Sequence, residues 1–253
     1  MSNFNNFTFK INILGWWGAF PQPGGATCGV LVTTSEGKFL LDCGGGVLSK
    51  YFEHANLTDQ FQGVLLSHLH YDHMGDVGCL YYAINYALRV GLRSNKPQVY
   101  APKTPETMWD AVQYPFCDTH ILEDGMKIHM AGADITVKKV NHTIECYAFR
   151  IEKNGKTIVY YTDTTYDPSH TDFIKCADLL ICEATISMGT RHTIGAGHMT
   201  DIEAGQTAAN GNVKELCLYH LPSDGDIPFM RIRAGSAYNG EIYTPDIRSE
   251  FII

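Results

Sequence analysis

Val64-Leu65-Leu66-Ser67-His68-Leu69-His70-Tyr71-Asp72-His73 runs a buried-type strand directly into three imidazoles and a carboxylate, and Gly75 then turns the chain into a helix. Packed together without a partner, these groups would repel one another and resist desolvation. A divalent cation turns the same density into coordination bonds, because imidazole and carboxylate are ordinary ligands of such ions. Alternation along the extended segment sends His68 and His70 to one side, and the turn brings Asp72 and His73 round toward a second ion.

Further ligands are expected where other strands end at the same cleft. His142 follows the stretch 137–141, Asp163 follows 159–162 and His220 follows 216–219. Together they complete two sites of about four or five ligands each, with Asp163 able to bridge the pair.

The surrounding pattern is β-rich. Strands are predicted over residues 8–14, 28–34, 38–42 and 63–67 in the first half, and over 135–141, 146–152, 157–162, 179–182 and 215–219 in the second. Helices are predicted after Gly44-Gly45-Gly46 through His54, over 76–90, from near Pro105, and over 200–209. The glycine triplet has neither dinucleotide-loop nor P-loop spacing and reads as a tight turn. Two β-rich halves, each with helices, point to two sheets packed face to face with helices outside. The helix over 76–90 is apolar or aromatic around most of its circumference (Leu80, Tyr81, Tyr82, Ile84, Tyr86, Leu88), so a second surface must cover it. A loop of the same chain, a homodimer contact and a wall of the active-site cleft are the three readings.

With 253 residues, 45% of them hydrophobic, the chain can bury a large core, and residues 1–253 are taken as one domain. A formal charge of −8, with no basic run beyond Lys138-Lys139, argues against a broad basic surface, so any grip on a nucleic acid must be local and a small-molecule substrate is the first expectation. No run of eighteen apolar residues occurs, and Met1-Ser2-Asn3-Phe4-Asn5-Asn6 lacks the basic start of a secretory signal, so a cytoplasmic location without membrane association is expected. Eight cysteines stand singly, without a CxxC pair, and read as reduced, mostly buried thiols. His54, His120, His129 and His170 receive no catalytic role. Arg191 and His192 read as a solvated loop pair with a phosphate or base contact as the alternative, and Asp224 and Asp226 as turn residues.

HLHYDH followed by a later His, a later Asp and a final His resembles the metallo-β-lactamase superfamily, in this order along nearly the whole chain. The resemblance implies an α/β, four-layer αββα sandwich with the site at one edge. It further implies His68, His70 and His142 on the first ion, Asp72, His73 and His220 on the second, and Asp163 between them. True β-lactamases commonly carry Cys where Asp163 stands, so antibiotic hydrolysis is not implied. Zn²⁺ suits these ligands best, and mixtures of histidine and carboxylate also accept Mn²⁺, Fe or Ni²⁺.

Cys182-Glu183-Ala184-Thr185 and Gly197-His198-Met199-Thr200 are similar to the ribonuclease Z branch, with Met199 where Ser is usual. That likeness implies His198, supported by Glu183, as the acid over the leaving group of a phosphodiester. The long tRNA-clasping arm of the branch is missing: twenty residues separate His142 from Asp163, taken up by two strands joined at Asn154-Gly155. The arm-less relatives that this sequence most resembles are similar to cyclic-nucleotide phosphodiesterases. The expected function is hydrolysis of a small or cyclic phosphodiester by attack of metal-bound hydroxide, with Asp72 orienting the water or taking its proton and His198 protonating the departing oxygen. Alternatives are a tRNA 3′-processing endoribonuclease, a lactone or thioester hydrolase, and a metal-binding protein without catalysis.

Overall fold

Val30 and Val32 leave their strand on one side and Leu31 on the other, yet all three are buried, as are Ile181 and its neighbours Leu180 and Cys182. Strands buried on both faces need a layer on each side. The computed structural model, which describes residues 7–187 and 197–253, has the layers in the expected αββα order.

The first half contributes β1 (Lys10–Gly15), β2 (Gly29–Thr34), β3 (Gly37–Leu41), α1 (Val47–His54), β4 (Phe61–Leu65), α2 (Tyr71–Met74), α3 (Val77–Arg89), β5 (Gln98–Ala101), α4 (Glu106–Val112) and β6 (Asp118–Ile121). The second contributes β7 (Lys127–Met130), β8 (Ala133–Val140), β9 (Cys146–Lys153), β10 (Lys156–Tyr161), α5 (Thr171–Ile174), β11 (Leu179–Glu183), α6 (Asp201–Asn210), β12 (Glu215–Tyr219), α7 (Ile227–Ala234), β13 (Glu241–Tyr243) and β14 (Glu250–Ile252). The sheets run β14-β1-β2-β3-β4-β5-β6 and β13-β12-β11-β10-β9-β8-β7. Each begins with antiparallel hairpins and continues with parallel strands, β3 to β6 in one and β10 to β13 in the other.

Between the sheets, Phe9, Ile11, Val30, Val32 and Phe39 meet Ile135, Val137, Phe149, Ile151 and Ile181 in one core. The opposite face of the first sheet packs Leu31, Leu40 and Val64 against Val47, Tyr51, Leu80 and Ile84 of the helices, and that of the second packs Leu180, Leu216 and Leu218 with Ala204, Ala208 and Met230. Each such side chain contributes about 1.5–3 kcal/mol on burial. At the turn after β9, Asn154 (φ 50°) and Gly155 (φ 73°) adopt the left-handed pair that a two-residue hairpin requires.

Three features differ from expectation. The strand before the histidines ends at Leu65, so Ser67 to His70 form an extended connection rather than strand. β14 returns to the first sheet, pairing Lys10 with Ile252, so the second half is not self-contained. On α3, Leu80, Tyr81, Ile84 and Ala87 are buried, whereas Tyr82 and Tyr86 are 68% and 64% exposed. A loop of the same chain covers part of this helix, since the Tyr114 ring stacks on Tyr81 at 4.8 Å and meets Tyr82 edge-on. α3 contributes no residue to the walls of the main cleft, which removes that reading. Among the described residues no helix is long and apolar enough to cross a membrane.

Candidate metal centre

The seven ligand candidates, scattered over 153 positions of sequence, converge at one edge where strands end. His68 to His73 follow β4, His142 follows β8, Asp163 follows β10 and His220 follows β12. Asp163 and His220 share a device: each turns at the strand end into the left-handed region (φ 45° and 50°), where a non-glycine residue is costly and is held only by its surroundings.

Asp163 stands at the centre. Its Oδ2 lies 3.5 Å from His68 Nε2, 3.4 Å from His73 Nε2, 3.8 Å from His142 Nε2 and 3.4 Å from His220 Nε2. One group of ligand atoms comes from His68, His70, His142 and Asp163, and Asp72 Oδ2 joins the other side at 3.1 Å from His220 Nε2 and 3.7 Å from His73 Nε2. His73 and His220 also form a group with Cys28, and Asp163 and His220 one with His198.

Whether these residues fit metal ions can be read from their protons. His73 Nδ1 donates to the Asp42 carboxylate at 2.8 Å, which leaves Nε2, buried and without a hydrogen-bond partner, as the atom turned toward the other ligands. His142 Nδ1 donates to the Gly197 carbonyl at 2.8 Å. The Ser67 hydroxyl donates to Asp42 and in turn accepts from His68 Nδ1 at 3.0 Å. His70 Nδ1 then lies 3.0 Å from His68 Nε2 and 3.2 Å from His142 Nε2, and one ring proton can satisfy only one of those contacts. A cation shared by all three nitrogens satisfies both, so the residues fit the ions that the ligand pattern implies.

Electrostatics separate the histidines: burial would lower His73, but Cys28, Asp163 and Asp42 outweigh it and hold it well above the ordinary range. Burial, with the field of neighbouring imidazoles, holds His68 well below the ordinary histidine range and also lowers His70 and His142, keeping them in the neutral form that ligates. Burial pushes Asp163 upward, but His220, His73 and His68 outweigh it and hold the carboxyl ionised.

Beside the cluster, His198 packs edge-on against His142 and stacks on His220 at 5.3 Å. Its Nδ1 is 3.1 Å from both oxygens of Glu183, which is fully buried at the last position of β11. Burial alone would lower His198; the Glu183 charge and hydrogen bond win and push it up to about 9. The cleft above has a volume of about 800 Å³ and is bordered by Phe20, Tyr71, Asp72, Ile186, His198, Pro222 and Asp224. Asp224 therefore borders the cleft, and Asp226 caps α7 by accepting from Phe229 N. Arg191 and His192 lie outside the described residues.

Several residues of the site were not singled out from sequence. Asp42, fully buried after β3 at φ 58°, accepts from Ser67 N, Ser67 Oγ, Tyr160 Oη and His73 Nδ1. The Ala19 amide donates to Asp72 Oδ2 at 2.9 Å. The Cys28 thiol lies within reach of His73 and His220, but burial pushes it up to about 12, a neutral S–H beneath the site. Asp42→Ala is expected to weaken metal binding about 10- to 100-fold by freeing His73 to rotate. Competition with a chromophoric chelator measures this, and an unchanged affinity would show that His73 needs no such support.

Residues 38–221 match the family described as the beta-lactamase superfamily domain. A probable metallo-hydrolase of Bacillus subtilis (strain 168), YhfI, is 34% identical over 234 residues, covering 92% of this chain and 95% of that protein. The crystal structure of YhfI, a metallo-beta-lactamase fold protein, superposes with a TM-score of 0.89 at 31% identity, covering 97% and 98% of the two chains. A ribonuclease Z of Sulfolobus acidocaldarius is 24% identical, covering 84% of this chain and 88% of that protein. A diphosphatase from the PhnP family shares the fold with a TM-score of 0.72 at 16% identity, covering 93% and 94%.

Proposed function

The chain is a metallo-hydrolase of the β-lactamase superfamily, and from that premise we propose that it hydrolyses a small or cyclic phosphodiester with two divalent ions, Zn²⁺ by preference. The observation that carries this reading is the Glu183–His198 pair beside the ligand cluster. A thioester expels a weakly basic thiolate that needs no acid, whereas a sugar alkoxide leaving from phosphorus needs a proton, and His198 held by Glu183 is placed to give one.

When bound, the ions would supply positive charge for the phosphoryl oxygens and lower the pKa of the attacking water. His68, His70, His142, Asp72, His73 and His220 would hold them, with Asp163 between. Asp72 borders the cleft, its Oδ2 held by the Ala19 amide beside His220 Nε2, where it orients the water and accepts its proton. His198 keeps its Nδ1 hydrogen on Glu183 and offers the proton at Nε2 to the departing oxygen. The cleft volume of about 800 Å³ suits a small molecule. Processing of tRNA 3′ ends is disfavoured, since β9 and β10 fill the interval where an RNA-clasping arm would be inserted.

The test is hydrolysis of bis(p-nitrophenyl) phosphate and of a 3′,5′-cyclic nucleotide by protein reconstituted separately with Zn²⁺ and Mn²⁺, with His198→Ala in parallel. His198→Ala is expected to cost about 10²- to 10⁴-fold on the cyclic nucleotide, whose leaving oxygen is basic, and much less on the nitrophenyl diester. Metal-loaded protein that cleaves lactones or thioesters but neither diester would overturn the proposal.

A further inference from the structure

The Glu183 carboxylate serves more than His198. The Thr185 hydroxyl lies 2.8 Å from Glu183 Oε2, 2.7 Å from His220 Nδ1 and 3.0 Å from the His220 carbonyl oxygen. It has a single proton to give. His220 Nε2 faces Asp72 Oδ2 at 3.1 Å and Asp163 Oδ2 at 3.4 Å, on the ligand side, so a His220 that ligates through Nε2 carries its hydrogen on Nδ1. That hydrogen goes to Thr185 Oγ1, the hydroxyl then donates to the Glu183 carboxylate, and Glu183 receives His198 Nδ1–H on its far side.

We propose that Thr185 is a positioning residue that ties the acid to the metal-binding edge through the chain His220–Thr185–Glu183–His198. It fixes the His220 tautomer that leaves Nε2 free for an ion, and it holds the Glu183 carboxylate against His198. The second half of this statement rests on the phosphodiesterase reading, in which His198 is the acid; the first half does not. The remaining donors to Glu183 are the amides of Thr164, Thr185 and Met199, which hold the carboxylate in place but carry nothing to His220. The rings also stack directly, but the hydroxyl of Thr185 is the hydrogen-bonded link between the two imidazoles among the described residues.

Thr185→Val keeps the shape and removes the hydroxyl, and Thr185→Ser keeps the hydroxyl; thermal unfolding confirms that both fold. Apo protein is titrated with Co²⁺ against a competing chelator while the visible Co²⁺ spectrum is followed. Thr185→Val is expected to bind Co²⁺ about 10- to 100-fold more weakly, with an altered spectrum, and Thr185→Ser to restore both. On the cyclic nucleotide, Thr185→Val is expected to lower kcat with little change in KM, and to lower it far less when His198 is already alanine, while its effect on Co²⁺ persists in that background. Wild-type Co²⁺ affinity and spectrum in Thr185→Val, or failure of Thr185→Ser to restore them, would overturn the proposal. If no variant cleaves either diester, the phosphodiesterase reading falls, and the Co²⁺ titration alone decides the tie to His220.

Discussion

Asp72→Ala is expected to reduce phosphodiester turnover about 10³-fold or more while the protein stays folded. The side chain is positioned for two tasks at once, closing the second ion's ligand set and handling the proton of the attacking water. It is also a carboxylate bordering the cleft whose Oδ2 accepts from the Ala19 amide at 2.9 Å and faces the ligand atom His220 Nε2 at 3.1 Å. Burial acts to raise its pKa, but the His220 hydrogen bond and the fields of His73 and His220 outweigh burial and keep it ionised. The fold survives the truncation because the main chain at this position is held separately, the Asp72 carbonyl accepting from Cys28 N at 3.0 Å. Asp72→Asn preserves shape and removes only the charge, so a loss of similar size there assigns the effect to the carboxylate. A wild-type rate in Asp72→Ala would end the mechanism proposed above.

Stripping the ions with a chelator is expected to abolish turnover and to lower the melting temperature by about 10 °C, reversed by adding Zn²⁺. An ion present at about 1,000 times its dissociation constant stabilises the folded state by about 4 kcal/mol, and each kcal/mol shifts the midpoint of a protein this size by about 2–4 °C. The apo site is costly for a local reason, with His70 Nδ1 pressed to 3.0 and 3.2 Å from two nitrogens that lack protons for it and His73 Nε2 buried without a partner. Scanning calorimetry with and without chelator measures the shift. Equal midpoints would mean that the cluster binds no ion tightly enough to matter.

The sequence made the ligands readable because each follows an apolar run with a clean end. Glu-Leu-Cys-Leu-Tyr, read as strand 215–219, is β12 with the same bounds, and His220 is the next residue. Asp42 carried the same signal, an acid closing the apolar strand Phe39-Leu40-Leu41, yet one carboxylate at a strand end looks like an ordinary turn until His73 and Tyr160 are seen to point at it. Thr185 stood in the motif Cys182-Glu183-Ala184-Thr185, but its contact with His220 could not be read, since only the fold brings positions 185 and 220 together. β5 and β7, four residues each, are too short for alternation to stand out, and α7 was missed because Ile227-Pro228-Phe229-Met230 has no clear apolar stripe. The tyrosine-rich side of α3 was read as needing cover, and the structure leaves Tyr82 and Tyr86 in solvent.

The ligands come from both sheets, four of them within residues 68–73 and the rest at 142, 163 and 220. Until the sheets have closed on their shared core, no complete site exists, and that closure depends on long-range pairings such as Lys10 with Ile252, the slow events in forming a fold of this kind. Ions therefore enter a finished protein rather than guiding its assembly. Their identity is then set by competition among whatever the compartment offers to a preformed set of five imidazoles and two carboxylates, in an order of affinity that the protein tunes but does not invert. The same chain produced under different metal supply is therefore expected to carry different ions in one frame, which elemental analysis of protein from such cultures measures.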